Sequence, residues 1–178
     1  NKAGWLTLYS GIAGGADIIL IPEHPYDIKK VAEAVMRRQK AGKNFSILAV
    51  AEGALSTAES KMKRKEWTAK RAAAGYTTAT NRIAKQVEEL TGAETRICVP
   101  GHMQRGGTPV PYDRVLSTRI GAHAADMIKN NEFGKLVVVK NNVITDIPLA
   151  ESAGKLKYVD PQSDIVKEAK LIGISFGD

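Results

Sequence analysis

Residues 17–27 read DIILIPEHPYD, and they decide the fold. Ile18-Ile19-Leu20-Ile21 is a short apolar run, rich in β-branched residues, with Gly14-Gly15 before it and Pro22 closing it. A run this short, apolar at every position and bounded by Gly and Pro, predicts a strand covered on both faces. Asp27 then stands where it can cap a helix. In that helix, predicted to run to about residue 41, Ile28, Val31, Val35 and Met36 share one face. Lys29, Lys30, Arg37 and Arg38 fall mostly off that face, and Gly42 is the stop. A buried strand feeding an amphipathic helix is the repeating unit of α/β architecture.

The same alternation extends in both directions. Residues 5–13 predict a helix that stops at Gly14-Gly15. Residues 45–51 predict a second buried strand, and residues 95–99 a third that contains Cys98. The segment 54–76 is polar, basic and helix-prone; a helix over 79–91 follows, with Ile83, Val87 and Leu90 on one face. Residues 113–130 predict a helix whose Val115, Leu116, Ile120, Ala124, Met127 and Ile128 share a face. Residues 136–139 and 143–147 predict two short strands joined by Lys140-Asn141-Asn142, and 161–172 a weak helix beginning near Pro161. The expectation is an α/β fold, a three-layer, Rossmann-like parallel sheet with helices on both faces.

Composition narrows the classes. The 178 residues are 43% hydrophobic and 25% charged, ordinary values for a globular protein, which excludes the disordered class. No apolar run approaches the roughly 18–20 residues of a membrane-spanning helix, and the first residues have no signal-peptide pattern. A single cysteine, Cys98, excludes an internal disulfide and a multi-cysteine zinc site; its apolar strand predicts a packed core thiol in a reducing, cytoplasmic setting. The net charge of +7 favours an anionic partner without choosing one.

In open α/β sheets, ligands sit beyond the carboxyl ends of strands. Three strand ends carry polar residues: Pro22-Glu23-His24, Ala51-Glu52-Gly53 and Gly101-His102. Glu52 there could accept hydrogen bonds from sugar hydroxyls, hold a metal, or form a surface ion pair. His102, Gln104 and Arg105 follow the third strand with Gly106-Gly107 behind them, so glycines let backbone approach a ligand while Arg105 offers a fork matched to phosphate. Arg96, inside the third strand, is costly there unless it is paired or reaches an edge or interface. Together these residues predict an anion site around 96–107. His24 falls in a turn, and His123 is a structural mid-helix residue. The glycines of SGIAGGAD, residues 10–17, stand between a helix and a strand, the wrong order for a phosphate loop. The run Lys61, Lys63, Arg64, Lys65, Lys70, Arg71 with Trp67 between reads as a solvated helix face. The alternative is a basic α/β nucleic-acid-binding module.

The stretch GHMQRGGTPVPYDR, residues 101–114, closely resembles the signature of 6-phosphofructokinases: Gly-His-x-Gln-Arg-Gly-Gly-[Ser/Thr]-Pro followed by Asp-Arg. AGWLTLYSGIAGGADIILIPE, residues 3–23, is similar to the helix and strand after that family's Met-Gly-Arg segment, and AVAEG, residues 49–53, to the strand end carrying its substrate-binding glutamate. The resemblance implies that Glu52 accepts hydrogen bonds from fructose 6-phosphate hydroxyls. It implies that His102 and Arg105 bind the 6-phosphate, and that Arg96 binds it across a subunit interface of a homo-oligomer, a dimer or tetramer. It implies transfer from ATP or pyrophosphate with Mg2+. The family's magnesium-binding Gly-Gly-Asp segment and its Thr-Ile-Asp-Asn-Asp base segment have no match here. Asn1 falls at or beside the arginine of the Met-Gly-Arg segment. The resemblance therefore implies a C-terminal portion of a longer polypeptide, with no catalytic or metal residue of its own and inactive alone. Residues 1–101 would belong to the substrate domain and 102–178 would return to the donor domain, the tail crossing back. The insert at 54–76 resembles the longer branch of the family, which includes pyrophosphate-dependent members. Lys43 matches one basic residue of the compact enzymes' allosteric site, and Ala41 stands where another would be. A third reading is an assembly-only subunit.

Overall fold

The computed structural model describes residues 2–76 and 78–178; Asn1, matched above to the Met-Gly-Arg segment, lies outside the described residues. The chain forms two compact units, residues 1–98 with 157–178, and residues 99–156.

In the first unit, helix α1 (Trp5–Ala13) leads into strand β1 (Ile18–Leu20), helix α2 (Ile28–Lys40) and strand β2 (Leu48–Val50). Helices α3 (Arg64–Ala73) and α4 (Ala79–Thr91) follow. Asp27 caps α2 by accepting from the Lys29 amide at 2.8 Å, and Thr78 caps α4 by accepting from the Asn81 amide at 3.1 Å. Gly92, at φ 69°, ends α4 in the left-handed region that glycine occupies without steric cost.

β1 pairs in parallel with β2, Ile18 opposite Leu48 and Leu20 opposite Val50. Its other edge meets the tail, where Ile18 bridges Ser175 in parallel and the Ile19 amide donates to the Ser175 carbonyl at 2.9 Å. β1 is thus an interior strand, which explains its apolar run. Ile18 and Leu20 pack with Tyr26, Val31, Val35, Ile83 and Val87. Ile19 and Ile21 face the other way, against Leu8, Val159, Val166 and Phe176. One layer is α2 and α4; the other is α1 and the tail helix α7 (Asp164–Leu171). The three-layer α/β expectation holds here.

In the second unit, helix α5 (Pro111–Lys129) packs on a hairpin of β3 (Lys135–Lys140) and β4 (Val143–Pro148), followed by the short helix α6 (Leu149–Ser152). The strands are antiparallel, Lys140 opposite Val143. Asn141 and Asn142 make the two-residue turn at φ 52° and 63°, the left-handed pair that matches the twist of a tight hairpin and that Asn tolerates. On α5, Met127 is buried and Leu116, Ile120 and Ala124 are half-buried, while Val115 and Ile128 of the predicted apolar face are exposed.

Several expectations are corrected. Residues 93–100 form no strand, and Ile97, Cys98 and Val99 are exposed. A parallel strand exists only through a neighbour's ladder, and among the described residues none pairs with this segment. Cys98 is accordingly no core thiol, and Arg96 is not a cation inside a buried strand. Leu90 is also exposed, off the stripe of α4 that Ala79, Ile83 and Val87 bury. The basic segment is not wholly a solvated face, because Arg71 is buried. The four-residue α6 has no period long enough to be read from sequence.

Candidate functional site

The first unit supplies Glu52 and Arg96. After β2, the Ala51 amide donates to the Leu20 carbonyl at 2.9 Å, and the Ala54 amide donates back to the Ala51 carbonyl at 3.0 Å. This closes a turn with Glu52 and Gly53 at its corner. Ala51 and Ala54 are buried while Glu52 is exposed. The Glu52 carboxylate makes no hydrogen bond or ion pair among the described residues, so it is free to accept from a ligand. Arg96 is exposed too. Its guanidinium pairs with Glu94, Nη2 at 3.0 Å and Nε at 3.1 Å from Oε1, a surface contact that costs little to break.

The second unit supplies His102 and Arg105, both on the 3-10 turn Gly101–Arg105. The Met103 amide donates to the Pro100 carbonyl at 3.1 Å and the Gly106 amide to the Met103 carbonyl at 3.4 Å. Gly101 at φ 54° and Gly107 at φ 88° bracket the turn in backbone that only glycine adopts cheaply. In a 3-10 helix, residues three apart eclipse one another, so His102 and Arg105 lie along one side. Both are exposed and have no partner among the described residues. An imidazole and a guanidinium with five N–H donors, standing free on one side of a turn, suit a phosphate or carboxylate.

Other polar residues at the strand ends are engaged. Glu23 accepts from the Gly4 amide at 2.9 and 3.1 Å and from the Val159 amide at 2.9 Å. It ties the start of α1 and the tail to the end of β1. His24 stacks on Phe176 with ring centroids 5.7 Å apart, and its Nε2 lies 3.2 Å from Asp178 Oδ2. His123 meets Asp146 at 3.4 Å, a structural contact as expected.

A charged network beside the Glu52 turn escaped the sequence reading. Glu59 is 4% exposed and Arg71 7%. Arg71 donates from Nε to Glu59 Oε1 at 2.7 Å and from Nη2 to Glu59 Oε2 at 3.0 Å. Arg82 donates to both oxygens of the same carboxylate, from Nη2 to Oε2 at 2.6 Å, and from Nη2 to the Tyr26 hydroxyl at 2.6 Å. Burial alone would raise the Glu59 pKa. Hydrogen bonds from Arg71, Arg82 and the Ser56 amide override it and hold the carboxyl at about 2 against an ordinary 4.5. Burial pushes the Tyr26 hydroxyl above its ordinary value, with Arg82 opposing. One signal was legible: Arg82 sits between Ala79 and Ile83, inside the buried stripe of α4, where a cation needs a partner. A groove of about 480 Å³ adjoins the network and is lined by residues including Tyr26, Thr57, Lys61 and Arg82, but by none of the four expected site residues.

No group of three or more His, Cys, Asp or Glu among the described residues could hold a metal ion. No helix among them is long and apolar enough to cross a membrane.

An interior parallel strand between helical layers defines an α/β protein. Residues 1–128 match the family model described as "Phosphofructokinase", and the chain belongs to the phosphofructokinase family. It is 48% identical over 178 residues to an ATP-dependent 6-phosphofructokinase of Spirochaeta thermophila, covering 100% of this chain and 49% of that protein. It is 40% identical over 177 residues to a pyrophosphate–fructose 6-phosphate 1-phosphotransferase of Streptomyces coelicolor, covering 99% of this chain and 50% of that protein. Among solved structures, the T-state phosphofructokinase of Pichia pastoris superposes with a TM-score of 0.67 at 30% identity, over 85% of this chain and 15% of that one. The pyrophosphate-dependent phosphofructokinase of Nitrosospira multiformis superposes with a TM-score of 0.70 over 99% of this chain and 46% of that one; at 17% identity it speaks to the fold alone. The chain spans about half the length of the curated relatives it matches.

Proposed function

We propose that this chain is the sugar-phosphate-binding portion of a 6-phosphofructokinase. The complete polypeptide transfers a phosphoryl group from ATP or pyrophosphate to the 1-hydroxyl of fructose 6-phosphate, with Mg2+. Glu52 accepts hydrogen bonds from the sugar hydroxyls. His102 and Arg105 bind the 6-phosphate, joined by Arg96 across a subunit interface of a homo-oligomer. Residues 1–101 serve the substrate domain, and 102–178 return to the donor domain, the tail crossing back. The observation that carries the reading is the free His102–Arg105 pair on its glycine-bracketed turn, inside the long family motif.

Mg2+ is held by the remainder of the complete polypeptide; among the described residues no group of three or more His, Cys, Asp or Glu could hold a metal ion. Phosphoryl transfer depends on positioning and on charge stabilisation around the donor. The chain has the acceptor's ligands without a donor cradle, so these 178 residues alone bind the sugar phosphate and do not turn it over.

Loss of a hydrogen bond to a charged group costs about 1.5–3 kcal/mol, roughly ten- to hundredfold in affinity. Arg105→Ala and Glu52→Ala are each expected to weaken fructose 6-phosphate binding by that order, measured by calorimetry or as KM in the complete polypeptide, while Lys63→Ala leaves it unchanged. Unaltered affinity in Arg105→Ala, or turnover by the isolated chain, would overturn the reading. The nucleic-acid alternative predicts tight binding that falls steeply with salt and depends on Lys63.

A further inference from the structure

We propose that segment 54–76 is a brace for the turn carrying Glu52, with Arg71 as its positioning residue. The proposal rests on the reading that Glu52 contacts the sugar.

Glu52 needs two things: a carboxylate open to ligand and a backbone that does not wander. Its side chain is exposed at the corner of the 51–54 turn, so nothing packed over it can hold it. The chain that leaves the turn is held instead. Arg71 Nη2 donates to the Ala54 carbonyl at 2.9 Å, two residues from Glu52. The Tyr26 amide donates to the Leu55 carbonyl at 3.1 Å, and the Thr57 amide to the Tyr26 carbonyl at 2.9 Å. Glu59 accepts from the Ser56 amide at 2.9 Å and from its hydroxyl at 3.0 Å.

Arg71 joins these ties to helix α3. Its fork grips both Glu59 oxygens and the Ala54 carbonyl together, and Trp67, one turn earlier on α3, covers it with Cζ 4.4 Å from the ring centroid. From the other side, Arg82 of α4 grips the same carboxylate and the hydroxyl of Tyr26, whose backbone holds Leu55 and Thr57. If Arg71 served only to neutralise Glu59, it would not need to reach Ala54. That contact passes the rigidity of α3 to the turn. Fixing the turn before binding removes an ordering cost that the ligand would otherwise meet.

The test compares Arg71→Lys, Arg71→Met, Glu52→Ala and the Glu52→Ala/Arg71→Lys double variant in the complete polypeptide. A lysine keeps the charge beside Glu59 but cannot span two oxygens and a carbonyl. Arg71→Lys is expected to raise KM for fructose 6-phosphate about five- to tenfold, a loss of the size set by ordering one side chain. kcat and the KM for the phosphoryl donor stay within about twofold, and Glu52→Ala removes the effect, since the residues act in series. Arg71→Met shifts KM in the same direction and further. Should it not fold, Arg71→Lys carries the test. A lowered Tm with an unchanged KM for the sugar phosphate would reduce Arg71 to a stabilising residue and overturn the brace, as would full additivity in the double variant. If Glu52→Ala itself leaves that KM unchanged, the reading of the site fails first, and the brace with it.

Discussion

Two guanidiniums converge on one carboxylate at Glu59, and the arrangement is stable only while that carboxylate is ionised. Its folded pKa is about 2 against an ordinary 4.5. A depressed carboxyl stabilises the fold above its unfolded pKa and loses that contribution as the pH falls toward its folded one. Here that is about 3 kcal/mol, present at neutral pH and lost between roughly pH 5 and pH 2. Urea midpoints for the wild-type chain are expected to fall across that window, and those for Glu59→Gln to fall much less. At pH 7 the same substitution is expected to cost about 3–5 kcal/mol, because the buried Arg71 and the half-buried Arg82 lose their counter-charge. Equal slopes in the two proteins would show that Glu59 is not the group that titrates. Among the described residues Arg82 Nε is buried without a partner, a cost the network already carries. The exposed Glu94–Arg96 pair calls for no such prediction. Breaking it should move stability by less than about 1 kcal/mol.

At the scale of elements, the approach of α1 to the end of β1 leaves no room at Gly4. A methyl there would lie 2.5 Å from Ile21 Cβ and 2.8 Å from a Glu23 oxygen. Ile21 is fully buried and its Cβ cannot swing away, so Gly4→Ala is expected to cost about 1–3 kcal/mol in equilibrium unfolding. It should also loosen the hydrogen bond from the Gly4 amide to Glu23, seen as faster amide exchange at Gly4. A loss below 0.5 kcal/mol would mean α1 can shift outward freely. At α4, Thr78→Ala removes the N-cap acceptor and is expected to cost roughly 0.5–2 kcal/mol. Most helices and the hairpin were legible because each carries its own signal: Asp27 as a cap, Gly14-Gly15 and Gly42 as stops, Asn141-Asn142 in the link between two strands. The 95–99 segment was misread because its apolar, β-branched composition is a statement about a neighbour. Composition marks a segment as able to join a sheet, and only a partner's ladder makes it a strand.

For the whole chain, Val110, Tyr112, Val115, Ile128 and Phe133 of the second unit are exposed, with Ile97 and Val99 of the 93–100 segment. So many large apolar side chains in solvent predict that the 178-residue chain, studied alone, binds the dye ANS and self-associates as concentration rises. Fluorescence titration and sedimentation check this. A monomeric, dye-silent chain would show that these side chains find cover within it.

The sequence by itself determined the α/β class, the order of most elements, and the candidate residues Glu52, Arg96, His102 and Arg105. Those follow from periodicities, capping residues and a long local motif, all properties of neighbours along the chain. The tertiary structure alone decided that β1 is interior, with the tail on one edge and β2 on the other. It alone decided that Arg96 and Cys98 face solvent, and that Glu59, Arg71, Arg82 and Tyr26 meet beside the Glu52 turn. Those residues lie up to 56 positions apart, and no local pattern encodes a contact whose free energy appears only when distant segments are brought together and water is removed.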